Sequence, residues 1–150
     1  MTLDLLFNLG NTTALAGWTL LLASPFLPGL ADRAAGLAIP LLLAVAYTGL
    51  VLAFWTGAEG GFGSLGEVMR LFDDPGVALA GWLHYLAFDL LVGAWVVRTA
   101  REEGIAFALA IPCLGLTFLF GPAGYFAFSC LRAARALQAK SLAAGAGAHP

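Results

Sequence analysis

Residues 81–93 read Gly-Trp-Leu-His-Tyr-Leu-Ala-Phe-Asp-Leu-Leu-Val-Gly, and this stretch decides what kind of fold the chain can form. It lies inside an apolar run of roughly 76–98, which is long enough to cross the hydrocarbon core of a bilayer as a helix. Asp89 sits near the middle of that run, where inserting a charged side chain costs at least about 2.5–3.5 kcal/mol. We therefore expect Asp89 to face the interior of a helix bundle and to be paired or protonated.

The composition of the whole chain agrees with a membrane setting. Of 150 residues, 61% are hydrophobic and 11% are charged, and the mean hydropathy is +0.90. Soluble domains carry about 25% charged residues, so the lipid bilayer is the expected partner. The seven Lys and Arg residues are scattered and the net charge is −2, which argues against a nucleic-acid-binding protein.

Three further apolar runs, roughly 3–27, 36–56 and 105–131, complete a predicted integral membrane four-helix bundle of the all-α class. The bundle domain is expected over 1–131, followed by a flexible tail over 132–150. The first run lacks the basic start of a signal peptide and is expected to be retained. A turn at Asp32 and Arg33 is expected to separate the first two helices.

Four crossings would put both termini on one side of the membrane. The expected location is the bacterial inner membrane, with both termini in the cytoplasm. Four basic residues would then lie on one side of the membrane and three on the other. The side richer in Lys and Arg is normally the cytoplasmic one, and these two numbers are nearly equal. The four are Arg70, Arg132, Arg135 and Lys140, and the three are Arg33, Arg98 and Arg101.

The long link 57–75 predicts a short amphipathic helix between the second and third spans. Ser64 and Glu67 have the spacing of a capping box, and apolar residues follow at helical spacing. Asp74 and Pro75 then provide an N-cap and a first-turn proline for the third span.

Helix geometry separates the polar side chains of the third span. Positions four apart share a face, which pairs Tyr85 with Asp89, whereas His84 points about 140° away from Asp89. His84 shares its own face with Phe88. His84, Asp89 and Tyr85 are the candidate catalytic residues, because intramembrane ionisable groups usually mark a site.

Other residues are candidates for binding a substrate: Trp82 beside His84, Phe88 on the same face as His84, Asn11 on the first span, and the Pro122–Gly124 bend on the fourth.

Neither a metal nor a cofactor is expected. The remaining histidine, His149, and the single lysine, Lys140, both lie in the tail, so haem and a retinal Schiff base lack their ligands. The alternative is that His84 and Asp89 only hydrogen-bond neighbouring helices and fix their packing.

The third span and its flanks resemble a small membrane-protein family. The resemblance rests on Ala80 to Leu86 followed by Asp89-Leu90, and on Ile39-Pro40, Trp55, the Leu65 to Phe72 segment and the Pro122-x-Gly124 bend, all in order over about residues 5–130. Plant members of that family are chloroplast proteins required to make neoxanthin, a precursor of abscisic acid.

The resemblance implies carotenoid chemistry and a hydrophobic carotenoid or isoprenoid as the small-molecule partner. In the plant case an epoxide-bearing end ring becomes an allene with a tertiary hydroxyl, which is an isomerisation that needs an acid and a base. Asp89, His84 and Tyr85 are our own candidates for these groups. Whether the chain is an enzyme is left open.

Two other functions also remain open. The first is a non-catalytic carotenoid or isoprenoid binder, or an accessory subunit of a pigment-biosynthesis enzyme. The expected protein partner is accordingly a pigment enzyme or a second copy of the chain in a homo-oligomer. The second is a small transporter that uses Asp89.

Overall fold

The computed structural model describes residues 2–146, and the side chains of residues 2–139 and 141. Over this range the chain is helical and contains no strand, which confirms the all-α class. A π-helical segment, Ala34–Ala38, joins the second helix to the third, and a short 3-10 turn, Trp55–Gly57, follows the third. The α-helices are α1 (Leu3–Leu22), α2 (Pro28–Arg33), α3 (Ile39–Phe54), α4 (Leu65–Phe72), α5 (Pro75–Glu102), α6 (Phe107–Phe120) and α7 (Pro122–Ala146).

Three helical segments among the described residues are long and apolar enough to cross a membrane. They are Leu3–Leu22, the continuous helix Pro28–Gly57, and Pro75–Glu102. The apolar α6 has only 14 residues, which corresponds to about 21 Å and is short of a full crossing.

The 28-residue α5 is the central helix, and it contributes to both hydrophobic cores of the protein. α1 runs parallel to it, with Gly10 against Leu83 and Gly17 against Leu90. A Cβ on either glycine would lie 2.5 Å from a leucine methyl group. Small residues at these two positions therefore allow the two backbones to approach closely.

The continuous helix Pro28–Gly57 runs antiparallel to α5. Tyr47 contacts His84 with ring centroids 5.6 Å apart, and Phe54 fills the space over Gly76. The start of α5 therefore lies at the same end of the protein as Gly57 and the N-terminus.

The expected turn at Asp32 and Arg33 is wrong, because both residues lie within helix. The chain turns earlier, over 23–27, and Pro28 begins the next helix at a position where its missing N–H costs nothing. The π-helical segment ends at Ala38, two residues before Pro40. Proline lacks an amide donor and crowds the preceding turn, which gives a physical reason for the wider winding there.

The helix starts predicted from capping residues are confirmed. The Ser64 hydroxyl accepts a 3.3 Å hydrogen bond from the Glu67 amide at the start of α4. The Glu67 carboxylate accepts a 3.0 Å bond from the Gly63 amide, one residue before the cap. Asp74 accepts from two amides of the first turn of α5, at 2.8 and 3.0 Å, and Pro75 is its first residue.

The predicted fourth run, 105–131, is two helices that fold back on each other. Gly121 ends α6 with φ of 50°, a left-handed conformation that favours glycine. Gly124 then lies directly against Thr117 and Cys113 of α6. Such contacts across seven and eleven residues cannot occur within one straight helix. α6 and α7 therefore form an antiparallel hairpin whose tip is Gly121.

α7 returns along α5 toward the end at which α6 began. Tyr125 and Phe128 contact Trp95, with ring centroids at 5.1 and 5.4 Å, and Arg132 pairs with Glu103 in the link between α5 and α6. The partner changes from Trp95 to Glu103 as α7 advances from Tyr125 to Arg132, so α7 is parallel to α5.

The boundary expected at residue 131 does not coincide with a helix end. α7 continues through Ala146, so the predicted tail is helical as far as the structure describes it. His149 lies outside the described residues.

We predict that Gly17→Val lowers stability. The added side chain has no room against Leu90, which is fully buried, and overpacking typically costs about 1–3 kcal/mol. Gly49→Val on α3 is the matched control, because a Cβ there meets open space. Thermal unfolding in detergent measures both; equal melting temperatures for the two variants would contradict the tight α1–α5 contact.

We predict a pH-dependent contribution from the clamp between α7 and the α5–α6 link. Arg132 donates a 2.8 Å hydrogen bond to Glu103, and this bond holds the pKa of Glu103 below its usual value. The clamp should therefore stabilise the fold fully above the usual glutamate pKa and lose its effect as the pH falls through the lowered one. Wild type should unfold at a higher temperature than Glu103→Gln near neutral pH, and the difference should vanish in acid. A difference that persists unchanged in acid would show that charge is not its source.

Candidate functional site

Asp89 is the buried charge at the centre of the protein. Its exposed fraction is 7%, and its carboxylate oxygen Oδ2 has no hydrogen-bond partner among the described residues. A side chain that served only to join helices would be hydrogen-bonded. An unpartnered buried carboxylate oxygen is costly, and such an oxygen is free to bind a polar group of a ligand.

The tip of the α6–α7 hairpin lies directly against this carboxylate. A Cβ on Gly121 would lie 2.7 Å from Asp89 Oδ1 and 3.5 Å from Oδ2. Glycine is thus required at this position for two reasons, the left-handed φ and the close approach of the carboxylate. Asp89 is the fifteenth of the 28 residues of α5, so the tip reaches the middle of that helix.

Two helix ends meet beside Asp89, because α6 stops and α7 starts at Gly121. The Gly121 amide donates a 2.8 Å bond to the Thr117 carbonyl, and the Gly124 amide donates a 3.1 Å bond to the Gly121 carbonyl. Broken helices of this kind occur at the substrate and ion sites of many transporters, where helix ends replace water as polar partners. The start of α7 also carries the positive end of a helix dipole, which favours a nearby carboxylate.

An apolar cleft lies one helical turn from Asp89, between α1, α5 and α6. Its volume is about 350 Å³. Tyr85, which shares a face of α5 with Asp89, lines it, and Phe118 and Leu119 at the end of α6 form the opposite wall. We call this space the Tyr85 cleft; it is lined by Asn11, Ala14, Leu15, Trp82, Tyr85, Leu86, Phe118 and Leu119.

Two predicted binding residues are joined at the edge of the Tyr85 cleft. Trp82 Nε1 donates a 3.1 Å hydrogen bond to Asn11 Oδ1. Trp82 also stacks on Tyr85 with ring centroids 5.4 Å apart. The bond ties α1 to α5 and fixes the orientation of the indole, which in turn limits the positions open to Tyr85.

His84 lines a different space, which lies between α3, α4 and α5. It stacks on Phe88 with ring centroids 4.5 Å apart and faces Tyr47 on α3. We call this space the His84 groove; it has a volume of about 330 Å³ and is lined by Tyr47, Val51, Trp55, Phe62, Leu71, Phe72, Val77, Ala80, Gly81 and His84.

The predicted site residues therefore fall into two groups. Asp89, Tyr85, Trp82 and Asn11 lie on the side of α5 that faces α1 and α6. His84 and Phe88 lie on the other side. The two grooves have no lining residue in common.

The predicted bend residues lie at the hairpin and outside the Tyr85 cleft. Pro122 begins α7 beside Gly121, and Gly124 packs on Thr117.

Sequence reasoning missed the residues of α6 that build the site. The reversal of the chain at Gly121 brings Phe118 and Leu119 to the Tyr85 cleft. The sequence signal for this reversal is the Gly-Pro-Ala-Gly stretch within an apolar run. Among the described residues, no group of three or more histidine, cysteine, aspartate or glutamate side chains is arranged to hold a metal ion.

Comparison with protein families identifies the chain. Residues 5–128 match the model of a family described as ABA DEFICIENT 4-like. The chain belongs to the ABA4-like family. The match confirms the resemblance noted from the third span and extends from α1 into α7, so it includes the Tyr85 cleft, the His84 groove and the hairpin tip of the ABA4-like chain. No curated protein and no solved structure matches it.

We predict that Gly121→Ala destabilises the protein through two separable effects. The φ of 50° and ψ of −101° lie in a region that residues with a Cβ rarely adopt, at a cost of about 1–3 kcal/mol, and the methyl group also collides with Asp89. Asp89→Ala in the same chain should remove the collision and recover part of the loss, which a double-mutant cycle measures. Gly115→Ala on α6 is the control, because a Cβ there meets open space. Additive effects of the two substitutions would contradict the contact.

Proposed function

We propose that this ABA4-like chain is a multi-pass protein of the bacterial inner membrane that modifies a carotenoid. The reaction we propose is an isomerisation of an epoxy or hydroxy end group by acid and base chemistry. In this proposal α1, Pro28–Gly57 and α5 cross the bilayer, and the α6–α7 hairpin completes a four-part bundle. The observation that carries the proposal is the unpartnered, buried carboxylate oxygen of Asp89 beside an apolar cleft.

The substrate class follows from the family and from the shape of the cleft. The neoxanthin-related role of plant members of the family suggests a carotenoid. A cleft of about 350 Å³ has the size of a small ligand pocket and would hold a single end ring. Leu15 and Leu119, which line it, are exposed on the outside of the bundle, so the long polyene would extend into lipid.

The proposed chemistry uses Asp89 and Tyr85 together. The Asp89 carboxylate would remove a vinylic proton from the end group as the epoxide carbon–oxygen bond breaks, and Tyr85 would give its phenolic proton to the released oxygen. The proton on Asp89 would then pass to the Tyr85 phenolate, since side chains four apart on a helix are neighbours. No atom is gained or lost and no electron acceptor is needed.

His84 has a different part in this proposal. It opens into the His84 groove, away from Asp89, so it would not reach an end group held in the Tyr85 cleft. Its stacked contact with Phe88 and its position beside Tyr47 suit it to hold an apolar ring. We therefore assign His84 and Phe88 to binding.

A second candidate function is supported by the same separation. Two separate apolar spaces beside α5, the Tyr85 cleft and the His84 groove, would suit a protein that binds pigment and passes it to a separate enzyme. The chain would then be a carotenoid-binding or accessory subunit.

The first experiment is a pigment profile. The chain is expressed in a bacterial host that accumulates epoxy- and hydroxy-carotenoids, and the extracts are resolved by chromatography and mass spectrometry. Isomerisation predicts a new peak of unchanged mass with a shortened chromophore. An unchanged profile with pigment bound to the purified protein would favour the binder.

Variants at the proposed site test the assignment of roles. Asp89→Asn should lower conversion by about 100-fold or more and Tyr85→Phe by a similar factor, as expected for loss of general acid or base groups. Tyr47→Phe removes the same hydroxyl from the His84 groove and should have little effect. Conversion is compared at equal protein level in the membrane. Full conversion by Asp89→Asn, or its loss in Tyr47→Phe alone, would overturn the assignment.

A further inference from the structure

The charged residues of the chain divide unequally between the two ends of the bundle. One end holds the N-terminus and the 57–75 segment, because α1 is parallel to α5 and Phe54 packs over Gly76. The other end holds the turn over 23–27, the α5–α6 link and the charged part of α7.

The α6–α7 hairpin creates this inequality. A fourth crossing would have carried Arg132, Arg135 and Lys140 to the N-terminal end. Instead α7 returns along α5, and Arg132 lies at Glu103 in the α5–α6 link. Arg135 and Lys140 follow further along the same helix.

The count that results is one-sided. The N-terminal end carries a single basic residue, Arg70, against five acidic ones: Asp4, Glu59, Glu67, Asp73 and Asp74. The opposite end carries three acidic residues, Asp32, Glu102 and Glu103, against six basic ones: Arg33, Arg98, Arg101, Arg132, Arg135 and Lys140.

Side-chain contacts within the basic end leave it positively charged. Asp32 receives Arg101 at 2.5 Å and Arg98 at 4.0 Å, so one carboxylate serves two guanidinium groups. Arg132 and Glu103 form the other pair. The surface therefore keeps more cationic than anionic groups after its ion pairs are formed.

We infer that the end of the bundle with six basic residues lies on the anionic, cytoplasmic face of the membrane. On that face α6 enters the bilayer and α7 leaves it, so the hairpin does not cross. Basic residues flanking short loops are retained in the cytoplasm. Anionic headgroups attract each of them by about 1 kcal/mol. The N-terminus and α4 then lie on the opposite, outer face, and the chain crosses three times. This inference does not depend on the proposed function.

Accessibility of single cysteines tests the inference. Cys113 and Cys130 are replaced by alanine in the full chain, and one cysteine is introduced at a time by Glu59→Cys, Gly29→Cys or Gln138→Cys, all at exposed positions. Each variant is treated with a membrane-impermeant maleimide in bacterial spheroplasts and again after lysis. We expect the cysteine at 59 to react in intact spheroplasts, and those at 29 and 138 to react only after lysis.

Two results would overturn the inference in different ways. Reaction of the cysteines at 59 and 138, but not 29, in intact spheroplasts would mean that the fourth element crosses the membrane. Reaction at 29 and 138, but not 59, would mean that the hairpin is correct and the orientation is reversed.

As a second measurement, a fluorescent protein fused after residue 150 of the unaltered chain should be bright, since green fluorescent protein matures only on the cytoplasmic side. A dark fusion, with an active alkaline phosphatase at the same position, would also overturn the inference.

Discussion

Close packing of α5 against α1 and α3 fixes the direction in which the polar side chains of α5 point. A helix at the centre of a membrane bundle gains little from the hydrophobic effect, because lipid is as apolar as its partners, so close contact between backbones must hold it in place. Gly10 and Gly17 of α1 accept Leu83 and Leu90 of α5, and Gly76 accepts Phe54 of α3. These contacts set the rotation of α5, and the rotation decides that Asp89 faces the hairpin while His84 faces α3.

That rotation also explains why His84 and Asp89 are not neighbours. They are five residues apart, which on a helix places them on different faces, and no bend in α5 brings them together. The Tyr85 cleft and the His84 groove are therefore separate spaces, with no lining residue in common. In the reaction we propose, binding of a large substrate is thereby separated from the chemistry, and Tyr85 and Asp89 are the acid and base.

Much of this arrangement could be predicted from sequence because it depends on local rules. Ser64, Asp74 and Pro75 fix helix starts through hydrogen bonds and a missing amide donor, and these were predicted correctly. The pairing of Tyr85 with the Asp89 face follows from helix periodicity alone. The reversal at Gly121 could not be predicted in the same way, because a run of apolar residues has the same hydropathy whether it crosses lipid or turns back within it. The turn at 23–27 was predicted too late in the chain because Asp32 and Arg33 resemble a surface turn. Both are helical residues, and Asp32 pairs with Arg98 and Arg101 of α5.

The hairpin also bears on how the protein is assembled in the membrane. A final crossing helix would require the segment after it to be carried through the bilayer, together with Arg132, Arg135 and Lys140. Each of these charges would cost about 2.5–3.5 kcal/mol at the bilayer centre. A pair of helices that enters and leaves on one face avoids that transfer. In the topology that we infer, the three long helices precede the hairpin in the chain and can insert first, and the hairpin can close on Asp89 afterwards.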